Sequence, residues 1–205
     1  MERNGKKVSI SLLILAVFGL CLLVTKSMNA ADQPRTQHAP SGWILAGSTP
    51  TNYRTGVDAA NMHGSSRSAY LISISEGHGF GTLMQTISAA NYAGKRLRLR
   101  GSVRSQDAAD WAGLWMRVDK GQQSVAFDNM QNRAVKGTQP WGMHEVVLDV
   151  PADATSISFG ILLTGSGEVW LSDLSLEEVG MDTPTTAMNS QGTLPQRPVN
   201  LGFSE

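Results

Sequence analysis

The chain has 205 residues, with 17 basic and 17 acidic side chains, 41% hydrophobic residues and one cysteine. That length sets an expectation of one domain plus extensions, and the balanced charge gives no electrostatic reason to bind nucleic acid. A lone cysteine excludes the intrachain disulfide staples on which many small exported domains rely.

Residues 1–30 read as a signal peptide. Arg3, Lys6 and Lys7 precede an almost wholly apolar run over 8–24, and Ser27, Ala30 and Ala31 supply small residues for cleavage after Ala30, or after Ala31. The alternative is an uncleaved anchor, although the run is shorter than the roughly 20 residues a spanning helix needs. Cys21 lies inside the run behind Leu20 rather than behind a small residue, so lipidation is not expected. Removal of this segment leaves 13 basic and 16 acidic residues, a net charge of −3. The expected location is therefore outside the cytoplasm, periplasmic or extracellular. Membrane contact is expected only if the segment is retained.

Residues 31–41, with Pro34 and Pro40, read as a linker. The folded domain is expected over 42–180. Leu97, Leu99, Gly101 and Val103 alternate with arginines and serine, which is the period of a strand with one buried face. In 112–119, Ala112, Leu114, Met116 and Val118 share one side, and Gly113, Trp115, Arg117 and Asp119 the other. Further strands are expected over 144–150, 157–163 and 169–179, with shorter ones over 68–74, 81–87 and 124–130. Turn signals separate them at Gly77-His78-Gly79, Ala93-Gly94-Lys95, Asp119-Lys120-Gly121 and Thr164-Gly165-Ser166-Gly167. Eight or nine short strands without a long helical period imply an all-β sandwich or barrel. Residues 181–205 hold three prolines among small polar residues and read as a disordered tail.

In order, these stretches resemble the β-jelly-roll carbohydrate-binding modules of the galactose-binding-like superfamily. The likeness rests on Gly42-Trp43, on Gly64 through Leu71, on Gln85-Thr86-Ile87 with Gly94-Lys95 and the alternating 96–104 run, and on Val169-Trp170-Leu171-Ser172-Asp173-Leu174. It implies a jelly-roll β-sandwich and a binding role. A narrower resemblance, carried by Gly79-Phe80-Gly81, Trp111 through Asp119 and Ala126 through Gln131, is to a poorly characterised bacterial family sometimes labelled AraC-type transcriptional regulators. Related jelly rolls hold a structural calcium. The resemblance puts Asp173 and Glu177 where such acids occur, too few for the roughly six to eight oxygens calcium takes, so the metal assignment stays open.

Trp115 beside Arg117 on one strand face suits a sugar, whose apolar face stacks on an indole while a forked donor bonds its hydroxyls. Asp128, Asn129 and Gln131 are expected to add polar contacts, and Trp141, in the loop-like stretch 138–142, to rim the site. The competing expectation buries Trp115 between the sheets and pairs Arg117 with Asp128. Trp43, Trp111 and Trp170 are expected in the core or at its edges. The arginines at 96, 98, 100 and 104 read as a solvated sheet face rather than as a site for an anionic partner. His38, His63, His78 and His144 lack metal-pair spacing, and Ser65-Ser66 lacks the strand–turn–helix setting of a nucleophile. The expected function is thus non-catalytic binding of a glycan or other small polar ligand, without cofactor. The alternatives are a structural or protein-interaction module and a sensory domain.

Overall fold

The structure, a computed structural model, describes residues 35–187. The expected signal segment and residues 188–205 of the expected tail lie outside the described residues. Nine strands follow one another: β1 (Ile44–Gly47), β2 (Tyr53–His63), β3 (Ser66–Ser73), β4 (Phe80–Ser88), β5 (Arg96–Lys120), β6 (Gln123–Asp128), β7 (Val135–Asp149), β8 (Ser156–Thr164) and β9 (Glu168–Val179). The only helical pieces among the described residues are three-residue 3₁₀ turns.

All pairings are antiparallel, and one strand organises them. The first part of β5 pairs with β7 on one side and β9 on the other, and its second part pairs with β8 and β6. A first sheet therefore runs β7-β5-β9-β3-β2, and a second runs β1-β4-β8-β5-β6. The 96–104 and 112–119 runs, expected as two strands, are one bent strand of 25 residues. Its register with β7 slips between Val103 and Ala112, and Asp107 takes φ 52°. Such bulges bend a strand and raise its twist, which lets β5 pass from one sheet to the other.

The core lies between the sheets. Leu71, Leu97, Leu99, Val103, Leu148 and Leu171 of the first sheet meet Leu83, Leu114, Met116, Ile157, Ile161 and Leu163 of the second. The alternation read along 97–103 and 112–118 turns these side chains inward. β8 is buried along nearly its whole length, because side chains also cover its outer face.

Two segments behave differently from expectation. Residues 35–36, assigned to the linker, lie on the outer face of the first sheet, where Thr36 N–H donates to the Val57 carbonyl (3.0 Å). Residues 181–187, assigned to the disordered tail, run beside β7. There Thr186 N–H donates to Val147 O (2.9 Å), and Arg96 donates to the carbonyls of Met181 (2.8 Å) and Thr183 (2.5 Å).

Candidate functional site

The outer face of the second sheet carries a groove of about 440 Å³. Cross-strand register builds it in rows. Phe80, Thr164 and Trp111 form one row, and Ala46, Thr82, Leu162 and Gly113 the next. Met84, Gly160 and Trp115 form a third, and Ser158, Arg117 and Phe127 a fourth. From Trp111 to Arg117 this covers about 20 Å of strand.

Trp115 is the floor. Its indole N–H reaches across β8 to donate to Thr82 Oγ1 on β4 (2.7 Å), and Thr82 donates onward to the Ile161 carbonyl (2.9 Å). Gly160, between Trp115 and Met84 in the register, has no side chain to obstruct that reach. The ring is 7% exposed. Trp115 therefore lies outside the sandwich interior, against the competing expectation, yet it is well covered. Phe80 is exposed, and Trp111 and Phe127 are half-buried, so these three rings form the accessible walls.

Among the described residues, Arg117 is the one ionisable side chain lining the groove. It pairs with Asp119 (Nε to Oδ1, 2.9 Å), not with Asp128. Only Nε makes that contact, which leaves the terminal amino groups as donors at the groove. Asn129 lines the same groove. Its Oδ1 accepts the Gln131 N–H (3.2 Å), and its Nδ2 is a second donor. Gly113 lets the Asn129–Met130 turn close down on β5: a Cβ there would stand 3.0 Å from Met130 Cβ.

Trp115, Arg117 and Asn129 are thus brought together, and the other three candidates are not. Asp128 pairs with Met116 across the sheet and shares its inward direction. It is 0% exposed and gripped by Arg133 (2.6 and 3.1 Å), and it accepts the Met130 N–H (2.8 Å), so it anchors the turn and cannot meet a ligand. Gln131 lies in the exposed 3₁₀ turn 131–133 and does not line the groove. Trp141 lies on β7, in the other sheet, with its ring 5.3 Å from that of His63. Residues 138–142 are strand rather than loop because β7 keeps pairing with β5 across its bulges.

The remaining charged candidates are engaged elsewhere. Two arginines of the stripe form ion pairs, Arg96 with Asp149 (2.7 Å) and Arg98 with Glu177 (2.9 Å), while Arg104 bonds Asn61 (2.6 Å) and stacks on Trp170. Asp173 takes a hydrogen bond from His63, the main reason its carboxyl sits below the usual range. Asp173 and Glu177 therefore do not converge, and among the described residues no group of three or more His, Cys, Asp or Glu could hold a metal ion.

No protein-family profile matches the chain. It is 42% identical over 167 residues to an uncharacterised HTH-type transcriptional regulator, YbfP, of Bacillus subtilis (strain 168). The match covers 80% of this chain and 57% of the relative, so the chain spans little more than half the length of that protein. Among solved structures it is similar to a cyclase from Fischerella sp. TAU, with TM-score 0.54 and 16% identity over 78% of this chain and 94% of that one. It is also similar to the C-terminal family 22 carbohydrate-binding module of Clostridium thermocellum Xyn10B, with TM-score 0.50 and 10% identity over 76% and 98%. The fold is therefore a β-sandwich, shared with both a cyclase and a carbohydrate-binding module, so the likeness by itself assigns no role.

Sequence reasoning placed Trp111 with the core tryptophans. It instead stands in the groove wall, in phase with Gly113, Trp115 and Arg117, so strand parity carried the signal. Phe80, Thr82 and Phe127 come from strands that only the register brings alongside. Trp43 packs as expected, meeting Phe159 edge-on at 5.9 Å. Trp170 is 1% exposed but turns away from the core that its neighbours Val169 and Leu171 join, and its ring is covered by Arg35 and Arg104 on the outer face of the first sheet.

Proposed function

We propose that this chain is a non-catalytic glycan-binding module, exported from the cytoplasm, and that the groove over Trp115 receives the ligand. The observation that carries this reading is a long open groove walled by Phe80, Trp111 and Phe127, with donors on Arg117 and Asn129 and no carboxylate among the described residues that line it. Aromatic faces with a few convergent donors suit the apolar face and hydroxyls of a sugar chain. With no acid to protonate a leaving group or activate water, the lining offers binding without turnover. The fold shared with the family 22 module supports the same reading.

Titration calorimetry against a polysaccharide panel tests it. Trp115 is a poor probe, since its truncation would open a buried site. Trp111→Ala and Phe127→Ala each leave the core intact, and each should weaken binding by about tenfold or more, on the scale of a lost aromatic contact. Binding unchanged in both variants, or no binding by the wild type across the panel, would remove the proposal. The 42% identity to a regulator favours a second reading, in which the groove is the sensing face of a regulatory protein. A hit confined to small solutes, with no polysaccharide bound, would promote it.

A further inference from the structure

The opposite face of the sandwich holds a second constructed site. The Arg35 guanidinium lies 2.7 Å from Asp58 Oδ2 and 2.6 Å from Glu168 Oε1, with its carbon 5.0 Å from the ring centre of Tyr70 and 5.5 Å from that of Trp170. These four walls are buried: Asp58 is 0% exposed, Trp170 1%, Tyr70 4% and Glu168 9%. Asp58 and Trp170 are also held without Arg35. Asp58 accepts from the Ala60 N–H (2.8 Å), from Asn61 Nδ2 (2.8 Å) and from the Trp170 indole (2.9 Å), and Arg104 stacks on Trp170 at 5.0 Å while bonding Asn61 Oδ1 (2.6 Å).

The occupant is attached more lightly. About a third of the Arg35 side chain is exposed. Its neighbour Thr36 exchanges two hydrogen bonds with Val57 of edge strand β2 (3.0 and 2.7 Å), and its carbonyl accepts from Tyr70 Oη (2.7 Å). Gly56 makes the approach feasible, since a Cβ there would lie 2.0 Å from Thr36 O. Two carboxylates beside flat rings suit a planar, delocalised guanidinium with several donors better than a compact ammonium. Arg104 on Trp170 and Arg54 near Tyr70 are the other cations around the cage.

We infer that this face is an arginine receptor: a site for a guanidinium carried on an extended peptide that aligns with β2, with the chain's own Arg35 as an exchangeable occupant. The partner it fits is a second arginine-bearing segment, recognised as Arg35 and Thr36 are. The site is separate from the groove and does not rest on glycan binding.

The test uses the full chain with Arg35→Ala and a blocked peptide copying residues 33–38. Saturable binding should shift the Trp170 indole N–H resonance of the variant. A peptide carrying lysine in place of arginine should bind about tenfold more weakly, and so should the wild type, whose cage is filled. In the wild type, excess arginine peptide should speed hydrogen exchange at the chain's own Thr36 N–H, which loses the Val57 carbonyl as the resident segment is displaced. That measurement decides the matter if Arg35→Ala does not fold. The inference is overturned if the folded variant binds no peptide, if the lysine peptide binds equally, or if Thr36 exchange is unchanged at saturating peptide.

Discussion

Lowering the pH should unfold this domain through Asp58. Burial alone would raise that carboxyl, but the donors gathered on it, from the Asn61 side chain, the Trp170 indole and the backbone N–H groups of Asn61 and Ala60, outweigh burial and hold it at about 2, against an ordinary 3.8. Because the folded group titrates below the unfolded one, its contribution is whole above pH 3.8 and disappears as the pH falls toward 2. The difference corresponds to about 2.5 kcal/mol. Glu168 acts in the opposite sense. Burial raises its pKa, Arg35 offsets this only in part, and the folded state gains as the pH falls through that raised value. Denaturant midpoints between pH 7 and pH 2 should therefore hold or rise slightly before dropping steeply. Asp58→Asn should be less stable at pH 7 and lack most of the steep acid limb. An acid limb identical in wild type and Asp58→Asn would refute the reasoning, as would a carbon chemical shift that places Asp58 at an ordinary value.

Two further substitutions test the scaffold of the groove. Gly160→Ala would set a Cβ 2.1 Å from the Leu83 carbonyl oxygen, a backbone atom that cannot swing aside. It should destabilise by about 3 kcal/mol in urea unfolding and weaken ligand binding by disturbing the bed of Trp115. Arg133→Met would leave the buried Asp128 carboxylate without its cation, a loss of about 3–5 kcal/mol, and a paired Asp128→Asn should restore part of it in a double-mutant cycle.

Much of the sandwich could be read from alternation, because strands with one face in the core repeat with period two. Leu97, Leu99 and Val103 and the set Ala112, Leu114, Met116 and Val118 point inward as that period requires. β2 escaped notice because Asp58 stands at a buried strand position. Its burial makes sense only once Arg35, Asn61 and Trp170 are known to surround it, and none of these is set by local pattern. The polar stretch 105–110 carries no apolar alternation, and pairing with β7 and β9 keeps it extended. In the groove, the shared face of Trp115 and Arg117 follows from their two-residue spacing. Neighbours in a strand face opposite ways, however, and that is why Asp128 turns inward while Phe127 reaches the groove. Gln131 and Trp141 were grouped with the site by proximity in sequence or by residue type, and neither property fixes which sheet a side chain joins.

The docking of residues 35–36 on the first sheet also fixes how the molecule is presented. The chain enters the domain on one flat side, and the groove opens on the reverse. A segment fused ahead of Arg35 would therefore join on the side away from the groove, and the proposed ligand would approach from the other.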